Sequence, residues 1–169
     1  MGLESLVGRL IKQKIMIDTN IVIYFLEGNE ALEDISREIF SVVERGEAKG
    51  FISVITVAEI LVKPMKLCNS PLIDKINNFL NTFPNLYICG IDRSIAIEAA
   101  KIRSATGLKM PDALIIASAK VLNCAIVGTD SQWDKKNLEL EFYNAGDYVG
   151  NRKMKEGIIH ATQTYPDKP

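Results

Sequence analysis

Short apolar runs alternate with longer amphipathic segments along most of this chain, and this alternation restricts the fold more than any other feature. Strands are predicted at residues 15–18, 50–55, 86–91 and 125–129, and the alternating segment 138–144 is typical of an edge strand. Helical patterns lie between them. Strands separated by helices predict βα units and a mainly parallel sheet, so we expect an α/β domain.

Apolar stripes at helical spacing fill the intervals between the predicted strands, and the first two end at glycine. The predicted helices span residues 19–27, 31–45, 56–66, 72–82, 93–105 and 111–123, and the third is interrupted near Pro64.

The length of 169 residues indicates one domain with a real core. We predict an N-terminal extension at 1–14, the domain at 15–149, and a C-terminal tail or appendage at 150–169. The extension has the pattern of an amphipathic helix, for which packing against the domain is favoured over dimerisation. The single histidine, His160, lies in the tail without nearby partners, so a catalytic role is not expected.

Composition excludes several classes of protein. The 20 basic and 21 acidic side chains give a net charge of -1, which argues against a tight non-specific nucleic-acid binder but not against a local basic groove. The three cysteines are widely spaced and form no CxxC, so a structural zinc site or a disulfide framework is not expected. Because no apolar run is long enough to span a membrane and no signal-peptide layout is present, a cytoplasmic location is expected.

Four acidic residues occupy junctions between the predicted strands and helices: Asp18, Glu59, Asp112 and Asp130. Each has a structural explanation when taken alone. Asp18 and Asp130 suit helix N-caps, Glu59 forms a capping box with Thr56, and Asp112 complements a helix dipole.

Taken together, these four acids favour a shared site. In a parallel α/β domain all four positions can face one crevice at the carboxyl ends of the strands. Clustered carboxylates repel one another and raise each other's pKa unless a cation neutralises them. Because the set offers only oxygen ligands, Mg²⁺ or Mn²⁺ is the expected cofactor.

Four segments resemble the PIN-domain nucleases, and most closely the VapC-type toxins of prokaryotic toxin–antitoxin pairs. The segments are "IMIDTNIVIYFL", "SVITVAEI", "KMPDALIIASA" and "VGTDSQW", in the order and spacing of that family over residues 15 to 145. One departure is Trp133, at a position where the family most often has Phe.

The resemblance implies a three-layer fold, with a five-stranded parallel sheet between helices, and metal-dependent cleavage of RNA. It implies that Asp18, Glu59, Asp112 and Asp130 are the metal-binding acids and that Thr129 adds a hydroxyl. It also implies a cognate antitoxin as partner, and a homodimer is a further expectation.

Our mechanistic hypothesis assigns each acid a role. Asp18 and Asp112 coordinate the principal ion, and Asp130 holds it through water or helps a second ion to bind. Glu59 orients or deprotonates the attacking water. The products then carry 5′-phosphate and 3′-hydroxyl ends.

Other candidates play supporting parts in this hypothesis. Thr19 and Asn20 support the metal ligands, and Lys109 is a candidate phosphate contact, as are Lys63 and Lys66, although solvated surface lysines are the commoner case. Trp133 either stacks on a base or, as we favour, packs in the core.

Several alternatives remain open from sequence. A phosphatase of the haloacid dehalogenase type needs an aspartate at position 20, which is Asn20, and a response-regulator receiver needs an acidic pair that "KIMID" lacks. Within the family, a structure-specific or processing nuclease that is not a toxin would use the same acids, since they bind phosphate and not sequence. A non-catalytic scaffold would usually lack some of these acids.

Overall fold

The computed structural model describes residues 2–28, 32–134, 136 and 138–148. The predicted tail at 150–169, including His160, lies outside them. Within the described part the chain forms five strands and eight α-helices. The strands are β1 Lys14–Ile17, β2 Lys49–Ser53, β3 Leu86–Cys89, β4 Ala125–Gly128 and β5 Phe142–Asn144. The helices are α1 Leu3–Leu10, α2 Thr19–Glu27, α3 Glu33–Glu44, α4 Val54–Lys66, α5 Ser70–Thr82, α6 Arg93–Thr106, α7 Met110–Leu122 and α8 Ser131–Asp134, and a 3₁₀ turn follows at Ala145–Tyr148.

The five strands form a single parallel sheet in the order β3-β2-β1-β4-β5. Strand β1 is central: Ile15 pairs with Gly50 of β2 on one side and with Ala125 of β4 on the other. The chain builds β2 and β3 outward from β1 and then crosses to form β4 and β5, so the strand order reverses at β1. In open parallel sheets such a reversal opens a crevice beyond the carboxyl ends of the strands.

Helices cover both faces of the sheet, which confirms the predicted α/β architecture. Along β1, Ile15 and Ile17 face a core built with α1 to α5, whereas Met16 faces a second core built with α6, α7 and α8. This alternation follows from the two-residue period of a strand. All three side chains are fully buried, as expected for the central strand of a parallel sheet.

The predicted amphipathic helix at the N-terminus is present as α1. Its Leu6 and Leu10 are fully buried in the core that α2 to α5 share. The segment therefore packs against the domain; a part in dimerisation stays a prediction.

Several predicted boundaries were wrong, among them three with an identifiable cause. The strand predicted at 50–55 ends at Ser53, whose hydroxyl caps α4 by accepting a hydrogen bond from the backbone N–H of Ile55 at 3.2 Å. Helix α4 also continues past Pro64, because a proline in the last turn removes only one helical hydrogen bond. Only Phe142–Asn144 of the strand predicted at 138–144 is extended, since Glu139 adopts a left-handed backbone with φ of 53°.

In the part of the chain that the structure describes, no helix combines the length and the apolar character needed to cross a bilayer.

Candidate active site

A cleft of about 280 Å³ opens beyond the carboxyl ends of β1 and β4. All four acids that the sequence singled out contribute to its wall. Its lining residues are Asp18, Thr19, Asn20, Ile23, Glu59, Val62, Asp112, Asp130 and Trp133. Because these residues come from α2, α4, α7, α8 and the loops after β1 and β4, the fold brings together side chains that are far apart in sequence. We call Asp18, Glu59, Asp112 and Asp130 the cleft acids.

Asp18 is the residue that directly follows β1, and the sheet holds its backbone in place. Its N–H donates to the carbonyl of Val127 in β4 at 2.9 Å. The side chain is only 4% exposed. Asp18 occupies the N-cap position of helix α2, but its side chain makes no capping hydrogen bond.

Burial raises the pKa of Asp18 to about 7, because a carboxylate loses hydration when it is enclosed. The negative charges of Asp112 and Glu59 contribute to this rise, whereas the backbone amides of Thr19 and Asn20 act against it. The ionised carboxylate of Asp18 is therefore energetically unfavourable at this position unless a cation compensates its charge.

Glu59 is oriented by a chain of two threonine hydroxyls. Thr19 Oγ1 donates to Glu59 Oε2 at 2.6 Å, and Thr56 Oγ1 lies 3.0 Å from Thr19 Oγ1. Because the Thr19 proton is used on Glu59, the Thr56 hydroxyl donates to Thr19. The capping box expected for Thr56 and Glu59 is wrong, since α4 begins at Val54 and Ser53 caps it.

Asp112 lies in the first turn of α7 and is half-buried at the wall of the cleft. Its pKa is raised, first by burial and then by the charges of Asp130 and Glu59. The nearby ammonium group of Lys109 acts in the opposite direction. Lys109 itself is exposed and does not line the cleft.

Asp130 does act as a cap, as its structural interpretation predicted. Its Oδ1 accepts a hydrogen bond from the backbone N–H of Gln132 at 2.8 Å in the single-turn helix α8. The carboxylate also lines the cleft, so capping and membership of the site are compatible.

Two predicted side chains lie beside the cleft acids without joining the lining. Thr129 forms a hydrogen bond with Tyr24, whose pKa is raised by burial and by the charge of Asp18. Lys63 forms an ion pair with Glu27 at 3.1 Å. The sequence analysis assigned no role to Tyr24, because a tyrosine within a helical stripe is indistinguishable from a packing residue.

The donor chemistry of the cleft fits a hydrated divalent cation. Of the described residues, four carboxylates and no histidine or thiol line it, which suits Mg²⁺ or Mn²⁺. Among the described residues, no three acidic, histidine or cysteine side chains lie close enough to form a complete metal cage. Mg²⁺ does not require one, because it usually keeps several waters and binds through one or two carboxylates.

A comparison with known families agrees with this architecture. The family model of the PIN domain matches residues 15–137. The chain belongs to the PIN domain family. No curated protein sequence matches the chain.

Solved structures share this PIN fold at low sequence identity. A chain of a toxin–antitoxin complex from Klebsiella pneumoniae is 21% identical with a TM-score of 0.61, covering 78% of this chain and 98% of that one. A chain of VapBC2 from Rickettsia felis, bound to a DNA fragment from their promoter, is 19% identical with a TM-score of 0.64, covering 77% and 97%. A chain of DNA-bound VapBC from Salmonella typhimurium is 20% identical with a TM-score of 0.63, covering 79% and 98%.

The raised pKa of Asp18 predicts how stability depends on pH. Between the ordinary pKa of about 3.9 and the folded value of about 7, the folded chain binds a proton that the unfolded chain releases, so stability falls as pH rises through this window. Asp18→Asn removes the ionisable group and therefore this loss of stability. In chelator at pH 8 we expect the variant to be more stable by on the order of 2 to 4 kcal/mol, with the gain vanishing near pH 4. Denaturant unfolding at several pH values measures this, and a variant less stable than the wild type at pH 8 would contradict it.

Gly128 is a second test of the packing around Asp18. A Cβ at this position would lie 3.2 Å from Asp18 Cβ and 3.3 Å from Phe142 Cε2, closer than nearly all such contacts. We expect Gly128→Ala to destabilise the fold by about 1 to 3 kcal/mol. Gly90→Ala is the matched control, because no atom lies within 4 Å of the place that its added methyl group would take. Equal unfolding free energies for the two variants would show that Asp18 is not tightly held.

Proposed function

We propose that this PIN domain is a divalent-cation-dependent ribonuclease and the toxin of a toxin–antitoxin pair. The observation that carries the proposal is the convergence of the four cleft acids, from four separate elements, on one small cleft. Buried Asp18, with its pKa raised to about 7, indicates that the cleft is suited to a positive ligand.

In this proposal the cleft acids have different roles. Asp18 and Asp112 would hold the principal Mg²⁺ or Mn²⁺ ion, and Asp130 would assist them. The ion, when bound, lowers the pKa of a water and neutralises charge on the phosphate. Asn20, at the rim, and Thr19 support the ligand set.

Glu59 is the candidate general base. Its carboxylate is fixed by the hydrogen bond from Thr19, and one oxygen, Oε1, has no part in that bond. We infer that it orients the attacking water and takes its proton. The water oxygen bonds to phosphorus as the bond to the 3′ oxygen breaks, and the departing 3′ oxygen takes a proton from solvent, which leaves 5′-phosphate and 3′-hydroxyl ends. Lys109 is the candidate phosphate contact, because its positive charge is near enough to Asp112 to lower the pKa of that carboxyl group.

The histidine-based route is unsupported for this cleft. Proton transfer by histidine pairs is the usual metal-free alternative in ribonucleases. The chain has one histidine, His160, outside the described residues. The presence of all four acids also favours a catalytic domain over a non-catalytic scaffold.

The toxin assignment is supported by the solved structures of similar fold, which are chains of toxin–antitoxin complexes. The surface adds a physical argument. Val62, at the rim of the cleft, is 40% exposed, and Met65 and Leu67 further along are 56% and 66% exposed. Val62 and Met65 are three residues apart on α4 and so lie on one face of the helix, and we infer that a protein partner covers this face. An antitoxin segment seated there would also cover the cleft.

A nuclease assay with matched variants tests the activity. Labelled single-stranded RNA and DNA of one sequence are incubated with the chain in Mg²⁺, in Mn²⁺ and in chelator. We expect RNA to be cut only with a cation, and Asp18→Asn and Glu59→Gln to lower the rate by about 100-fold or more. The exposed residues Asp74 and Glu44 supply the same substitutions outside the cleft, and Asp74→Asn and Glu44→Gln should retain full activity. Cutting that persists in chelator, or in Asp18→Asn, would refute the proposal.

A growth assay separates a toxin from a processing nuclease. Expression of the wild-type chain should arrest growth, and co-expression of the adjacent open reading frame should relieve the arrest. Asp18→Asn should be harmless in the same vector. If the chain is an active nuclease but leaves growth unaffected, the ribonuclease proposal stands and the toxin proposal is refuted.

A further inference from the structure

Trp133 carries an unusual buried polar atom at the cleft. Its indole Nε1 is inaccessible and has no hydrogen-bond partner, and it is the only buried side-chain nitrogen or oxygen of this kind among the described residues. The residue as a whole is 1% exposed. Buried donors are nearly always paired because an unpaired one has lost its hydration without compensation, so an exception calls for a physical reason.

The position of Trp133 ties this donor to the cleft acids. Helix α8 places it one turn after Asp130, with its backbone N–H donating to the carbonyl of Asp130 at 3.1 Å. Trp133 lines the cleft together with Asp112 and Asp130. Its ring packs against Phe142, with ring centroids 5.7 Å apart. A phenyl ring at position 133 would fill the apolar part of this space without an unpaired donor.

The acids around it are spread too widely to form a complete cage in the described part of the chain. Asp130 Oδ1 accepts a hydrogen bond from the backbone N–H of Gln132, and the other carboxylate oxygen takes no part in that bond. A cation shared by the acids would draw their carboxylates together. Asp112 and Asp130 share the cleft wall with Trp133, so theirs are the carboxylates that such a movement would bring toward the indole.

We propose that Trp133 is a positioning residue, whose indole N–H donates to a carboxylate oxygen of Asp112 or Asp130 when a divalent cation binds. The inference rests on the proposed function, because it requires the cleft acids to share a cation. Carboxylates that bind metals are commonly held by such hydrogen bonds, which fix their orientation toward the ion. The indole is well suited to this, since it is a donor only and its ring is fixed by packing.

Trp133 is the only tryptophan of the chain, so its indole gives one side-chain N–H signal in a ¹H–¹⁵N spectrum. On titration with Mg²⁺, which is diamagnetic, we expect the indole proton to move downfield and to exchange more slowly with water. Asp112→Ala and Asp130→Ala, each examined at a Mg²⁺ concentration that calorimetry shows to be saturating, identify the acceptor, because the shift disappears only in the variant that lacks it. A shift that survives in both variants, or no shift in the saturated wild type, overturns the proposal.

Mg²⁺ affinity provides a second readout, independent of activity. Trp133→Phe keeps an aromatic ring and removes the donor, and we expect it to bind Mg²⁺ about tenfold more weakly. Phe142→Leu is the control, since it loosens the packing of the ring and keeps the N–H; its affinity should stay within about twofold of the wild type. Equal weakening in both variants would mean that packing alone matters, and unchanged affinity in Trp133→Phe would also overturn the proposal.

These measurements separate the two proposals. If Asp18→Asn loses Mg²⁺ binding while Trp133→Phe keeps it, only the role of Trp133 falls. If the wild-type chain binds neither Mg²⁺ nor Mn²⁺, the proposed function falls together with it.

Discussion

Enclosing the Asp18 carboxylate beside other carboxylates is the physical constraint that this fold has to meet. Asp18 is nearly buried, and the charges of Asp112 and Glu59 act on it across the cleft. Such a cluster destabilises the fold at neutral pH unless a cation compensates it. The rest of the structure must therefore hold the acids in place against their repulsion, which the two apolar cores on either side of the sheet are able to do.

The sheet topology explains how this is achieved with few residues. Because β1 is central, the residue that follows it lies at the reversal of strand order, and its N–H is anchored to β4 through Val127. Gly128 lies so close to Asp18 that an added Cβ would come within 3.2 Å of Asp18 Cβ. The Thr56–Thr19–Glu59 hydrogen-bond chain fixes an acid that belongs to a different βα unit. Rigid delivery of this kind is what a metal-dependent reaction requires.

Much of this arrangement could be predicted from sequence because it depends on local patterns. The apolar run before Asp18 and the helical stripe after it are visible in the chain, and parallel topology then places the acids at one edge of the sheet. The tertiary contacts that position the site residues could not be predicted from sequence. The start of α4 depends on the Ser53 cap outcompeting a plausible cap at Thr56, and Gly128 matters through its distance from Asp18, which no local pattern records. The unpaired indole of Trp133 likewise arises from tertiary packing.

The most direct test of the account is to locate the cation. Crystals of the chain grown with Mn²⁺ can be examined for anomalous scattering at the manganese edge. We expect one strong peak in the cleft, within about 2 Å of carboxylate oxygens of Asp18 and Asp112. No peak at saturating Mn²⁺, or a peak bound only by residues elsewhere on the surface, would contradict it.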